Sequence, residues 1–218
     1  MRVFVSWSGG KDSCLALHRA MRNGLEIGFL FTMLGEDGSM SASHGLTKEV
    51  LDVQAETLGI PIIYGKNFSG SYEESFKKII RDQKTQGVQG GVFGDINLQG
   101  HRDWVERVCS DIGIKPFLPL WLEDYDRLLN EFIGGGFKAM IVSAMADLID
   151  GEWIGRPFDW EFVKYLEQQG LDRLGEKGEF HTLVTNGPIF SKRMRVLEFR
   201  KMMKNNRWLP EKLSVDAI

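Results

Sequence analysis

The sequence predicts an α/β protein with a doubly wound, mainly parallel five-stranded sheet, followed by a smaller α+β region. Short apolar runs alternate with amphipathic stretches of helical period through the first half of the chain. A polar glycine turn joins the first apolar run to the first helical stretch. The alternation stops after Trp121, and from Asp150 the chain is rich in Trp, Gly and acidic residues. We therefore predict one domain over residues 1–120 and a second over residues 121–218.

The elements of the first domain follow from the spacing of its apolar residues. The first strand covers residues 2–6, and the first helix, at 12–23, places its apolar residues on one face. A helix at 47–58 stops at Gly59, a common helix terminator. The other predicted elements are strands at 26–34, 60–64, 91–93 and 116–118 and helices at 72–86 and 102–112. Strands that alternate with helices form a parallel sheet, which binds ligands at the carboxyl ends of its strands.

The second region has fewer predicted elements. A helix at 124–132 precedes three consecutive glycines, and apolar strands are predicted at 137–143 and 180–184. A long irregular stretch separates these two strands. The basic segment 192–204 is interpreted either as a solvated helix face or as a nucleic-acid patch.

Composition and charge limit the class of protein. The chain has 218 residues, 43% of them hydrophobic, so it can bury a sizeable core. Its net charge of −3 gives no overall electrostatic case for nucleic-acid binding. Two distant cysteines, no signal-peptide pattern and no long apolar run favour a cytoplasmic protein with no membrane partner. The sequence leaves the oligomeric state open, a homo-oligomer included.

The turn at residues 8–13, Ser-Gly-Gly-Lys-Asp-Ser, has the composition of a phosphate-binding loop. It lies where a strand ends and a helix begins, which is a natural anion site. Ser8 and Ser13 can donate hydroxyl hydrogen bonds to phosphate oxygens, and Lys11 brings a positive charge. Asp12 either caps the helix or helps to hold Mg²⁺. We predict that Lys11, Asp12 and Ser13 take part in catalysis, because a plain helix-capping turn explains this run less well.

This turn resembles the signature of the PP-loop ATP pyrophosphatase superfamily, whose members cleave ATP between the α- and β-phosphates. The resemblance implies an adenine nucleotide alpha hydrolase-like fold. It also implies that ATP contacts Ser8, Gly9, Gly10, Lys11, Asp12 and Ser13, and that adenine lies near the end of the second strand, at Phe31, Thr32 and Met33.

Further motifs are similar to those of the diphthine–ammonia ligase family and extend over nearly the whole chain. They are Ser43-His44, Gln54-Ala55, Leu58-Gly59-Ile60-Pro61, Gly94-Asp95-Ile96, Gly100-His101-Arg102, Pro119-Leu120-Trp121, the run 151–156 (GEWIGR) and the run 175–182 (GEKGEFHT). The resemblance implies that ATP adenylates the carboxylate of diphthine, a modified histidine on an elongation factor, and that ammonia displaces AMP. Lys177 and His181 depart from the residues that archaeal relatives often carry there, which bears on the acceptor more than on the adenylation.

Residues outside the glycine turn are assigned to the two substrates. His44, Gly94 and Asp95 are predicted near the nucleotide, and Asp95 is a second, weaker candidate for holding Mg²⁺. The residues predicted to face the acceptor are His101, Glu152, Trp153, Glu176, Glu179, Phe180 and His181. Aromatic faces and carboxylates suit the quaternary ammonium of diphthine. The alternative is that Trp153 is a core residue and that the acids cap turns.

Two other functions remain open at this point. A PP-loop tRNA-modifying enzyme is disfavoured, because thiolation commonly needs a reactive cysteine pair and RNA binding favours a basic face. A nucleotide-binding sensor without turnover would keep the same loop. Release of AMP and pyrophosphate separates a ligase from a sensor.

Overall fold

The computed structural model describes residues 1–35, 38–41, 44–66 and 71–218, which form two compact units. The first unit consists of Met1–Ser8, Asp12–Lys48 and Ile60–Leu122. The second unit consists of Gly9–Lys11, Glu49–Gly59 and Glu123–Ile218. The predicted domain division near residue 120 stays a prediction. Ser43 of the predicted Ser43-His44 motif lies outside the described residues.

The first unit contains the predicted parallel sheet. Its strands are β1 (Arg2–Ser6), β2 (Glu26–Met33), β3 (Ile62–Gly65), β4 (Gly90–Val92) and β5 (Lys115–Phe117), and the helices between them in the chain are α1 (Lys11–Arg22), α2 (Lys48–Leu58), α3 (Tyr72–Lys84) and α4 (Gln99–Ile112). The strands lie in the order β3-β2-β1-β4-β5, and every pair is parallel. The predicted fold class is confirmed.

Aromatic side chains form the centre of the core between this sheet and α3. Phe4 of β1 lies 5.9 Å from Phe31 and 6.1 Å from Phe76, measured between ring centroids, in edge-on contacts. Helix α4 is held beside α3 by Lys77, whose Nζ is 2.6 Å from Glu73 and 2.7 Å from Asp111. Aromatic packing therefore holds α3 against the sheet, and the ion pairs of Lys77 hold α4 beside α3.

The second unit is built on an antiparallel sheet. Its strands are β6 (Lys138–Met145), β7 (Phe180–Asn186), β8 (Met194–Lys204) and β9 (Arg207–Ala217), in the order β7-β6-β9-β8. Helix α5 (Tyr125–Leu129) continues into a π-helical turn, Asn130–Gly134, so the predicted helix at 124–132 is present but irregular. The predicted α+β character of this region is confirmed.

Three elements of this unit differ from the sequence predictions. Residues predicted as irregular include helix α6 (Trp160–Gln168), whose Asp159 caps the amides of Glu161 and Phe162. The helix interpretation of residues 192–204 is wrong, because Met194–Lys204 form strand β8. This strand pairs with β9, which was not predicted. Asn205 and Asn206 both have positive φ, 51° and 58°, and make the two-residue turn of this hairpin.

Within the described ranges, no helix has the length and apolarity needed to cross a membrane.

Candidate active site

The glycine turn lies at the topological switch point of the parallel sheet. From β1 the chain adds β2 and β3 on one side, and it then returns to place β4 on the other side of β1. Ligands of open α/β sheets bind beyond the carboxyl ends of the strands at such a point. The turn connects β1 to α1, and its Gly9 has a φ of 81°, which glycine adopts readily. Its position therefore suits the binding of a nucleotide.

Gly94, the second residue after β4, packs closely on the start of α1. A Cβ atom built on Gly94 would lie 2.8 Å from the carbonyl carbon of Asp12 and 2.9 Å from the amide nitrogen of Ser13. The hydroxyl oxygens of Ser8 and Ser13 are 3.1 Å apart, so the two ends of the turn meet. The predicted phosphate contacts Ser8 and Ser13 are therefore together, and Gly94 belongs to the same site through its backbone.

The segment Gly9–Lys11 is held within the second unit by hydrogen bonds. The side-chain amide of Gln54, on α2, donates to the carbonyl oxygens of Gly9 (3.0 Å) and Val184 (2.7 Å). The amide of Val184 donates to the same Gly9 oxygen at 3.0 Å, and the amide of Lys11 donates to Oγ1 of Thr182 at 3.0 Å. Strand β7 and helix α2 thus set the conformation of the glycines.

The side chain of Lys11 is buried, with 6% of the residue exposed. Its Nζ donates to the carbonyl oxygen of Leu174 and lies 5.9 Å and 5.3 Å from the ring centroids of Phe158 and Phe180. These rings stabilise the ammonium by cation–π attraction. Lys11 therefore joins the glycine turn to the loop that precedes β7.

The residues predicted near adenine are buried at the end of β2. Phe31 packs in the aromatic core, Met33 is 6% exposed, and the hydroxyl of Thr32 donates to the carbonyl oxygen of Trp7 at 2.6 Å. Their side chains therefore shape the strand end, and contact with the base stays a prediction.

His101 and Asp95 form a pair beyond β4. Nδ1 of His101 lies 3.0 Å from Oδ1 of Asp95, and the His101 side chain is 64% exposed. The carboxylate fixes the orientation of the imidazole. His44 is half-buried in a turn before α2. Of these three predicted site residues, the structure thus brings Asp95 and His101 together.

Trp153 is a core residue of the second unit. Its ring packs 5.0 Å from Phe162 and 4.9 Å from Tyr165, measured between centroids, and the guanidinium of Arg156 lies 4.1 Å from the ring centroid. This placement favours the alternative that the sequence left open. Glu152, next to it, is exposed.

Hydrogen bonds within the loop that precedes β7 stabilise its conformation. The carboxylate of Asp172 accepts hydrogen bonds from the amides of Leu174 (2.8 Å) and Gly175 (3.2 Å). Glu179 is 7% exposed and accepts from the Lys177 amide at 3.0 Å, so it stabilises a turn. Phe180 is 2% exposed and packs edge-on against Phe162 at 5.0 Å. Glu176 is half-buried in the same loop.

His181 lies in a positively charged environment. Burial, the guanidinium of Arg207 and the ammonium of Lys11 lower the pKa of His181 to about 4. His181 is the cross-strand partner of Ser143 on β6. Its imidazole is therefore neutral at physiological pH and can accept or donate a hydrogen bond.

The comparison with known families decides the identity of the chain. A model of the diphthamide synthase N-terminal domain matches residues 1–116, and a model of the diphthamide synthase C-terminal domain matches residues 124–212. The chain belongs to the diphthamide synthase family. The predicted family is confirmed, and so is the prediction of an enzyme.

Individual relatives agree with this assignment. The diphthine–ammonia ligase of Bos taurus is 25% identical over 90% of this chain and 83% of its own length. The diphthine–ammonia ligase of Danio rerio is 27% identical over 89% of this chain and 86% of its own. A solved structure, titled a predicted subunit of tRNA methyltransferase from Methanocaldococcus jannaschii DSM, covers 86% of this chain and 98% of its own at 17% identity, with a TM-score of 0.45. That likeness is too low to support an argument.

The two cysteines of this diphthamide synthase family member are shielded from solvent. Cys14 and Cys109 are both buried. Burial raises the pKa of the Cys14 thiol far above its usual range and that of Cys109 to about 12. Burial thus disfavours the thiolate form of both cysteines, which is the nucleophile that cysteine-dependent thiolation requires.

Three residues that matter here were assigned no role from the sequence. Gln54 and Thr182 occur in the quoted family motifs, and Arg207 occurs in none of them. Gln54 lies among apolar residues on α2 and is fully buried, a pattern that signals a buried polar contact. Nothing in the local sequence points to Arg207, because its contacts depend on the sheet of the second unit.

Proposed function

We propose that the chain is an ATP-dependent ligase. In this proposal it adenylates the carboxylate of a diphthine-like side chain on an elongation factor and transfers the acyl group to ammonia. The products are the amide, AMP and pyrophosphate. The observation that carries the proposal is the Ser-Gly-Gly-Lys-Asp-Ser turn at the switch point of the sheet, with Gly94 packed against the first turn of α1. Membership of the diphthamide synthase family supports it, and we place the reaction in the cytoplasm.

The residues of the turn fit the phosphates of ATP. A pair of adjacent hydroxyls on Ser8 and Ser13, at the start of a helix, suits an oxyanion. Lys11 brings a positive charge, and its ammonium donates a hydrogen bond to the Leu174 carbonyl oxygen. To bind pyrophosphate, the ammonium must donate to a phosphate oxygen as well as, or instead of, this carbonyl oxygen. The charge that develops on the leaving pyrophosphate is thus stabilised by groups already in position.

Asp12 is the proposed protein ligand for Mg²⁺. It lies in the first turn of α1, and Mg²⁺ commonly takes one or two carboxylates and completes its shell with phosphate oxygens and water. In the described part of the chain, no group of three His, Cys, Asp or Glu residues is arranged to hold a metal ion. This arrangement agrees with an ion held chiefly by the nucleotide, where it neutralises phosphate charge.

The reaction is a pair of displacements that needs little acid–base chemistry from the protein. A carboxylate oxygen attacks the α-phosphorus, and the bond to the β-phosphate oxygen breaks with loss of pyrophosphate. Ammonia then attacks the acyl carbon, AMP leaves, and the new amide loses a proton to solvent. Positioning the reactants is the main task of the enzyme.

The test is a product analysis with ATP, ammonium and an elongation factor that carries diphthine. We expect AMP and pyrophosphate in equal amounts, and conversion of the acid to the amide by mass spectrometry. Lys11→Ala and Asp12→Ala should each lower the rate by about a hundredfold. Lys164→Ala and Asp147→Ala are matched controls on exposed residues.

Two outcomes would contradict the ligase. Release of ADP and phosphate would place the cleavage at the wrong bond. ATP binding without release of AMP or pyrophosphate would favour the sensor that the sequence left open. Full activity of Lys11→Ala or Asp12→Ala would remove the roles given to those residues.

A further inference from the structure

Arg207 has an unusual position at the start of β9. Its Nη1 donates to Oγ of Ser143 at 3.2 Å, and its Nη2 donates to the carbonyl oxygen of Gly178 at 2.6 Å. Both acceptors are neutral, and among the described residues Arg207 has no carboxylate within ion-pair distance. Burial lowers the pKa of this half-buried guanidinium, which shows that its charge is partly desolvated. A guanidinium has five N–H groups, so these two bonds leave donors for an anion.

His181 lies on the segment 178–182 that Arg207 contacts, and the amide of Lys11 donates a hydrogen bond to the same segment. Arg207 binds the carbonyl of Gly178, and four residues later Oγ1 of Thr182 accepts from the amide of Lys11. Between them stands His181, whose cross-strand partner Ser143 accepts the second Arg207 bond. Arg207 and Lys11 therefore both contact the segment 178–182, which carries the imidazole of His181, and all of these residues belong to the second unit.

We propose that Arg207, with His181 beside it, forms an oxyanion subsite that binds the carboxylate to be activated. A guanidinium matches the two oxygens of a carboxylate, and a partly desolvated one binds them more strongly than an exposed one. This inference rests on the proposed function, because the carboxylate must meet the phosphates that the glycine turn holds, and Lys11 belongs to that turn.

The surroundings agree with this assignment. Burial, and after it the charges of Arg207 and Lys11, lower the pKa of His181 and keep the imidazole neutral. Glu179, the buried acid of the segment, directs its carboxylate to the Lys177 amide and makes no ion pair with Arg207. Arg200, on β8, differs from Arg207 because it pairs with Glu198 at 3.1 Å and is exposed. It is therefore the matched control.

The first test measures binding without ATP. Acetate, as the carboxylate probe, is titrated into protein with ¹³C-labelled histidine, and His181→Gln assigns the His181 ring signal. We expect a saturable shift of that signal, with affinity reduced about tenfold or more in Arg207→Gln and unchanged in Arg200→Gln. Thermal melts establish that each variant is folded. Arg207→Lys keeps the charge but loses the planar guanidinium, so it should bind acetate several-fold more weakly than the wild type. If Arg207→Gln does not fold, acetate binding by Arg207→Lys tests the subsite in its place.

The second test separates this subsite from the ligase itself. In turnover, Arg207→Gln should raise the KM for the carboxylate acceptor about tenfold, while the Kd for ATP stays unchanged. Equal acetate binding by Arg207→Gln and the wild type would overturn the subsite. An Arg207-dependent shift with pyrophosphate but not with acetate would assign the oxyanion to the nucleotide and overturn the carboxylate assignment. If acetate binds as expected but no AMP forms, the subsite stands and the proposed ligase fails.

Discussion

At the scale of single residues, buried polar side chains fix the glycine turn. Gln54 is fully buried and donates to two carbonyl oxygens, one of which belongs to Gly9. Thr182 accepts the amide of Lys11. Such contacts stabilise one backbone conformation, since a buried carbonyl without a donor raises the free energy of that arrangement. The loop is thus held in shape before a ligand arrives, which lowers the entropic cost of binding.

Gln54→Met tests this role, because methionine keeps the length of the side chain and removes the amide. We expect the free energy of unfolding to fall by about 1–3 kcal/mol and ATP affinity to fall several-fold. Urea unfolding and ATP titration measure the two effects. Gln168→Met, on the exposed end of α6, is the control. Unchanged ATP affinity in Gln54→Met would show that the glycine turn does not depend on this amide.

Gly94→Ala tests the close approach of β4 to α1. The new methyl group would lie 2.8 Å from backbone atoms of Asp12, so the start of α1 must move. We expect a loss of about 1–3 kcal/mol in stability and a clear loss of ATP affinity. Gly100→Ala meets no atom within 4 Å and lies in α4, so it should stabilise the protein by about 0.5–1 kcal/mol. Equal effects of the two substitutions would contradict the packing argument.

His181 makes stability depend on pH. Its pKa is about 4 in the folded protein and 6.5 as a free side chain, so between these values the unfolded chain binds a proton that the folded chain does not. Stability therefore falls as the pH drops from 6.5 to 4, by up to about 1.4 kcal/mol per pH unit, and this contribution is constant below pH 4. The measurement is chemical unfolding at several pH values. His181→Gln should show a shallower decline, and parallel curves would contradict the assignment.

At the scale of elements, Met194–Lys204 of the segment 192–204 form one strand of a hairpin because of the turn that follows them, although the charge pattern of the segment indicated a helix. The segment 192–204 has the basic residues of a solvated helix, yet two consecutive asparagines with positive φ reverse the chain after Lys204. Asparagine tolerates this conformation better than most residues. Ion pairs such as Arg195 with Asp216 then join the two strands. The basic charge of this segment is therefore partly neutralised within the hairpin.

Asn206→Ala and Asn206→Gly test the turn. Alanine at a φ of 58° costs about 1–2 kcal/mol, whereas glycine adopts this conformation readily. We expect Asn206→Ala to be less stable than the wild type and Asn206→Gly to be at least as stable, by urea unfolding. Equal stability of the two variants would mean that the turn contributes little to the fold.

At the scale of the whole molecule, the chain crosses between its two units several times. The segments Gly9–Lys11 and Glu49–Gly59 belong to the second unit although they interrupt the first in sequence. Their partners lie far along the chain: Thr57 accepts hydrogen bonds from Ser191, and Gly9 accepts one from Val184. The second unit therefore depends on residues from both halves of the sequence.

A fragment of residues 1–122 tests this dependence. It keeps the five parallel strands and loses Val184, Thr182 and Ser191, so the glycine turn and α2 lose their partners. We expect a lower melting temperature than for the full chain and ATP affinity reduced about tenfold or more. Calorimetry and ATP titration measure both, with the full chain as reference. A fragment that binds ATP as tightly as the full chain would contradict this expectation.

The sequence by itself determined the parallel sheet, the strand–turn–helix phosphate loop and the family. These features depend on residues close together in the chain, where periodicity and glycine chemistry are visible. Only the tertiary structure decided that Trp153 is core, that Gln54 and Thr182 hold the turn, that β8 and β9 pair, and that Arg207 stands beside His181. Those contacts join residues up to 171 positions apart, as Lys11 and Thr182 are, and no local pattern encodes which distant partner a buried polar group will find.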